Sequence, residues 1–148
     1  MRNKYALTIL ILTFCMVSAG FMPSDFFSEV MATIKVTIEK DRDTDVWRVR
    51  DKEGNNRGTL KVGKKDKIYW QAKGSDMRFT FSKPVDDYFT YSEGQFLDGK
   101  SQLIGRSKML QLTVKSDAPP DTLIYEVYVV AADTLVVGNS PPKLIIKR

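Results

Sequence analysis

Residues 67–81 read Lys67-Ile68-Tyr69-Trp70-Gln71-Ala72-Lys73-Gly74-Ser75-Asp76-Met77-Arg78-Phe79-Thr80-Phe81. Ile68, Trp70 and Ala72 alternate with Tyr69 and Gln71, and Met77, Phe79 and Phe81 alternate with Arg78 and Thr80. Side chains of an extended chain point to opposite faces in turn, so each run is a strand with one apolar face. Lys73-Gly74-Ser75-Asp76 between them is a turn, because glycine tolerates positive φ and Ser and Asp bond their own backbone. A period of two, not 3.6, sets the fold class.

The same period continues on both sides. Ile34, Val36 and Ile38 oppose Thr33, Lys35, Thr37 and Glu39, and Trp47 and Val49 alternate with Arg48 and Arg50. Glu53-Gly54-Asn55-Asn56-Arg57-Gly58 is a turn, and Thr59 to Val62 a short strand followed by another turn over Gly63 to Lys67. Leu110, Leu112 and Val114 share a face. Leu123 to Ala131 is almost continuously apolar, which predicts a central strand buried on both faces. Leu135 to Val137 and Leu144 to Ile146 are the last two short strands, with the edges expected near Thr33 and Leu144. Residues 84–108 are predicted to be a long irregular connection. No window supports a helix longer than two turns. The expectation is an all-β domain over residues 33–148, a single antiparallel Greek-key sandwich or barrel of about 7–8 strands.

The N-terminus has a different pattern. Arg2 and Lys4 precede the uncharged run Tyr5 to Val17, and Val17-Ser18-Ala19 offers the small residues of a cleavage site. This order is that of a secretory signal over residues 1–19, followed by a linker over residues 20–32. A periplasmic or secreted location is expected. Retained, the segment would be an inner-membrane anchor and the only membrane contact. A start at Met31 would instead leave a cytoplasmic protein with basic-surface partners.

Composition removes much chemistry. The 148 residues are 43% hydrophobic and 28% charged, and they include no histidine and one cysteine, Cys15. A Ser-His-Asp site, a His-ligated metal centre and an intrachain disulfide therefore lack their parts. The net charge of +5 falls to +3 without Arg2 and Lys4. The remaining cations alternate with acids, as in Glu39-Lys40-Asp41-Arg42-Asp43, which excludes the clustered basic face of a nucleic-acid binder. No cofactor is expected.

Gly63-Lys64-Lys65-Asp66-Lys67-Ile68-Tyr69-Trp70 resembles the "V-x-x-G-D-x-I-x-W" turn and strand of cupredoxin-like domains, and the resemblance extends over residues 33–148. It implies that Met77 to Phe81 is the next strand, Tyr125 to Val129 the penultimate strand and Leu144 to Ile146 the closing one. The family's copper site needs two histidines, a cysteine and usually a methionine. Val129 falls about where the cysteine would be, and Met77 and Met109 cannot form the centre alone. Electron transfer is not implied. Ala118-Pro119-Pro120-Asp121 and Asn139-Ser140-Pro141-Pro142 give a fainter similarity to the small bacterial DP-EP family. That similarity implies carboxylate-dependent self-cleavage, although neither segment contains an Asp-Pro or Glu-Pro pair.

Few chemical motifs remain. Asp86-Asp87 is the adjacent acid pair on which an aspartic-type peptidase or self-processing site would depend, the second functional class considered. Ser140-Pro141-Pro142-Lys143 matches S-x-x-K as a string, but its prolines oppose the helix that motif requires. Asp41 to Asp45 alternates acids like a calcium loop without the glycine and terminal glutamate. Tyr88, Phe89, Tyr91 and Phe96 crowd four aromatics into nine residues of the 84–108 connection. Exposed, they form a recognition surface for a protein or cell-envelope ligand. Folded back, Phe89 and Phe96 plug one end of the sandwich and leave Tyr88 and Tyr91 outside. The first functional expectation is an exported, metal-free binding module whose contact surface is this connection.

Overall fold

The computed structural model describes residues 31–92, 94, 96–136 and 141–148. The leader and most of the linker, together with Val137, Asn139 and Ser140, lie outside the described residues. Among the described residues eleven strands follow one another: β1 (Thr33–Lys40), β2 (Trp47–Asp51), β3 (Thr59–Val62), β4 (Lys67–Ala72), β5 (Met77–Phe81), β6 (Phe89–Thr90), β7 (Ser101–Ile104), β8 (Met109–Val114), β9 (Asp121–Val129), β10 (Thr134–Leu135) and β11 (Lys143–Ile146). The helical elements among the described residues are two 3-10 turns, Val85–Asp87 and Val130–Ala132.

The strands form two sheets, ordered β2-β1-β4-β8-β6 and β3-β11-β9-β5-β7, with β10 added to β9. From β2 to β9 the chain changes sheet at every step, so each sheet's apolar face is built to cover the other's. Most pairs are antiparallel, but β1 runs parallel to β4 and β11 parallel to β3. β11 has a strand on both sides along its length, so the edge expected near Leu144 is not one. β1 lies between β2 and β4, but among the described residues β2 reaches only to Val36 and leaves Thr33–Lys35 open on that side. The edges are β2 and β6 in the first sheet and β3 and β7 in the second.

The alternation read from the sequence governs which side chains are buried. Ile68, Trp70 and Ala72 of β4 face Met77, Phe79 and the rest of the second sheet, all fully buried. The Trp70 ring makes edge contacts with Phe79, Phe81 and Tyr125 at 6.1, 6.3 and 5.7 Å between centroids. Its Nε1–H donates to the Tyr125 hydroxyl at 3.3 Å, which satisfies both polar atoms at the centre of the core. β9 corrects one expectation. It is a central strand, but Ile124 (41% exposed) and Glu126 face outward, so only one face is buried.

The turn before β4 is held by one carboxylate. Asp66, itself buried, accepts from the Gly63 N–H at 2.7 Å and from the Ala32 N–H at 2.7 Å. The Ala32 carbonyl in turn accepts from the Lys67 N–H at 2.9 Å. Ala32, the last residue assigned to the linker, is therefore fastened to the sandwich at the point where β1 joins β4.

Candidate functional site

The 84–108 stretch is structured rather than irregular: it supplies a 3-10 turn, β6 and β7. Pro84 fixes the backbone just before the turn, and the Val85 N–H donates to the Gly99 carbonyl at 2.7 Å, closing the stretch into a loop. Its aromatics are mostly internal. Phe89, Phe96 and also Tyr88 are buried, so Tyr88 is not the exposed residue expected. Its ring packs beside Phe89, and its hydroxyl reaches an acid 33 residues away, donating to Asp121 Oδ2 at 2.6 Å. Tyr91 is half-buried, with its ring edge-on to Phe96 at 4.9 Å. Phe96 continues the stack to Phe81 at 6.0 Å, so Phe89 and Phe96 plug the sandwich.

The acids in this region serve as acceptors. Asp121 takes the Lys83 ammonium at 2.5 Å, the Tyr88 hydroxyl and the Thr122 N–H. Those bonds hold its carboxyl down to about 2, while the same carboxylate raises Lys83 and Tyr88 above their ordinary values. Asp86 accepts from the Tyr91 hydroxyl at 2.8 Å, which raises the Tyr91 phenol. Asp87 is exposed, and no hydrogen bond joins it to Asp86 among the described residues. A catalytic dyad requires two carboxylates sharing a proton. The structure brings Asp86 to Tyr91 instead. In the 41–45 turn, Asp41 accepts from the Asp43 and Thr44 N–H groups and pairs with Arg50, the arrangement of a capped turn. Among the described residues no group of three acids, cysteines or histidines could hold a metal ion. Val129 pairs with Met77 across β9 and β5, both fully buried in the apolar core, and Met109 is far more exposed at 56%.

What the sequence reading missed is a cleft of about 490 Å3 bordered by β7 of one sheet and β8 of the other. β6 pairs β8 only at Val114 and Thr113, so Met109–Leu112 have no strand on that side among the described residues. Main-chain groups of alternate residues point to alternate sides of an antiparallel strand. The Val114 N–H and the Lys108 carbonyl bond toward β4, so those of Met109 and Gln111 point away from it. On the facing sheet, β5 is the one named strand that pairs β7 among the described residues. The Lys100 carbonyl bonds toward β5 and Ser101 bonds outward to Leu97, which leaves the main-chain groups of Leu103 on the outer edge. Leu103 (55% exposed) and Met109 stand on the two lips. Arg78, cross-strand from Leu103, and Arg106 and Lys108 surround them. None of these three cations forms a salt bridge with an acid among the described residues. Strand edges are invisible to alternation, because they are set by where neighbouring strands stop.

No protein-family model and no curated protein matches the chain. The similarities are to solved structures. An oxidised mutant of amicyanin is 13% identical with a TM-score of 0.41, over 78% of this chain and 82% of that one. A Cu(I) form of another amicyanin mutant is 11% identical at 0.40, over 78% and 83%. Fet3p, a multicopper oxidase that functions in iron import, is 9% identical at 0.42, over 83% of this chain and 29% of its own. These similarities assign no activity to the chain.

Proposed function

We propose that this chain is an exported binding module that holds an extended, acidic segment of a protein partner in the cleft between β7 and β8. The observation that carries the reading is the pair of strand edges that no described strand covers on the two sides of one cleft. An added strand gains main-chain hydrogen bonds at either edge, whatever its sequence, and lies beside Leu103 or Met109. Among the described residues Arg78, Arg106 and Lys108 have no salt-bridge partner, and they favour a segment carrying Asp or Glu. Much of the cleft is lined from the 84–108 stretch, where the contact surface was expected, although by its strand and turns rather than by its aromatics. Export is supported by the Arg2/Lys4 charge before the apolar run of residues 5–17. The binding needs no metal.

The test is fluorescence anisotropy with a fluorescein-labelled octapeptide alternating valine and glutamate. Saturable binding is expected, weakened about tenfold in Leu103→Glu, where an acid is placed on the lip, and in Gln111→Pro, which removes an outward N–H. The absence of saturable binding, or equal binding of the valine–lysine counterpart, would overturn the reading.

A further inference from the structure

The other side of the sandwich has a second opening with different chemistry. β2 ends at Asp51 opposite Val36, so Thr33–Lys35 of β1 have no strand on that side among the described residues. Across from them lies β3, the outer strand of the second sheet, paired with β11 alone among the described residues. Between these edges is a cleft of about 530 Å3, a volume typical of small-molecule sites. Ile34, Val36 and Leu60 line it, and Ile34 is only half-buried because β2 stops short of it. Val36 and Leu60 are buried behind it, so Ile34 is the apolar side chain that the opening leaves partly exposed among the described lining.

Its rim carries an excess of positive charge. Lys35, Lys52, Arg57 and Lys61 line the cleft with two acids, Asp51 and Glu53. Both acids are already engaged. Asp51 takes the Arg57 Nε at 2.9 Å and the Asn55 N–H at 2.8 Å, and Glu53 pairs with Lys52 at 3.4 Å. The Lys35 ammonium lies 5.8 Å from the Tyr69 ring centroid, and Lys61 has no acidic partner among the described residues. Two cations are thus left over beside an apolar floor. The described lining includes no aromatic ring on which a nucleobase could stack.

We infer that this cleft is a binding site for a small amphipathic anion, a medium-chain carboxylate whose apolar tail enters between β1 and β3 and whose head meets Lys35 and Lys61. The tail removes from water its own apolar surface and the exposed part of Ile34. The head stays at the mouth, where lysine stems pack on apolar surface and keep their charges in water. This site is independent of the peptide cleft.

Isothermal titration calorimetry of the full chain with decanoate and with decyltrimethylammonium, both below micelle formation, tests the inference. One saturable decanoate site is expected, weakened about tenfold in Lys35→Gln/Lys61→Gln and to a lesser degree in Lys61→Gln alone. Raised salt should weaken it, and Leu103→Glu in the other cleft should leave it unchanged. Amide shifts on decanoate addition should cluster at residues 33–36 and 59–61. Equal binding of the cationic amphiphile, undiminished affinity in the double variant, no saturable heat, or shifts confined to residues 101–111 would each overturn the site. Because both lysines are exposed, thermal unfolding of the variants should match the parent; a parent-like transition with parent-like affinity is the clearest refutation.

Discussion

Tyr125→Phe separates two contributions that meet at one hydroxyl. Tyr125 is fully buried, and its oxygen is the acceptor for Trp70 Nε1–H. Deleting it leaves a buried indole N–H unpaired, which costs about 1–2 kcal/mol at neutral pH. The same hydroxyl is a liability in alkali, because burial pushes its ionisation from 10.0 up to about 12. A group with a raised folded pKa stabilises fully below its unfolded pKa and loses that contribution as pH rises through the folded value. The native protein should therefore lose on the order of 1 kcal/mol of stability at pH 11 and on the order of 2 kcal/mol at pH 12 through this residue. Phenylalanine has nothing to ionise. Urea unfolding followed by tryptophan fluorescence should show the variant less stable at pH 7, level with the native protein near pH 11 and more stable at pH 12. Lysine titration affects both proteins alike and cancels in the difference. A constant difference from pH 7 to pH 12 would refute the placement of Tyr125 in the core.

Asp121→Asn should lower the Tyr88 ionisation toward its ordinary value in a spectrophotometric titration, since the Asp121 carboxylate is the main cause of its elevation; an unchanged phenol would contradict the contact. Asp51 and Asp121 are both held from 3.8 down to about 2, so their contribution is present above about pH 4 and is lost as pH falls toward 2. The urea midpoint should fall across that window, and a flat midpoint would count against both pairings. Gly94→Ala should cost about 1–2 kcal/mol, because φ is +82° there and the new methyl would stand 2.0 Å from Gln102 Nε2. Equilibrium unfolding measures that loss, and no change in midpoint would mean that the lip of the cleft is differently built.

The fold was legible because strand alternation is local. Trp70, Phe79 and Leu112 each announce their face through their neighbours, and the core contains them as read. Where the reading went astray, the deciding information was long-range. β9 looked doubly buried because Ile124 and Tyr128 are apolar in composition, and only pairing shows that they face outward. β6 and β7 are two and four residues long, and each is a strand by virtue of its partner. Tyr88 gives no local sign that its hydroxyl meets Asp121. The aromatic cluster was visible as composition, but whether it served recognition or packing depended on Phe81 and β8 beside it. The cleft between β7 and β8 left no trace in the sequence, since it exists where β6 stops short.

Amide hydrogen exchange of the full chain, with and without the valine–glutamate octapeptide, tests the central claim most directly. Added-strand pairing should slow exchange at Leu103 or at Met109 and Gln111, the amides on the open edges, while those of β1 and β3 stay unchanged. Protection confined to other strands, or no protection at saturating peptide, would contradict the assignment of this cleft as the binding edge.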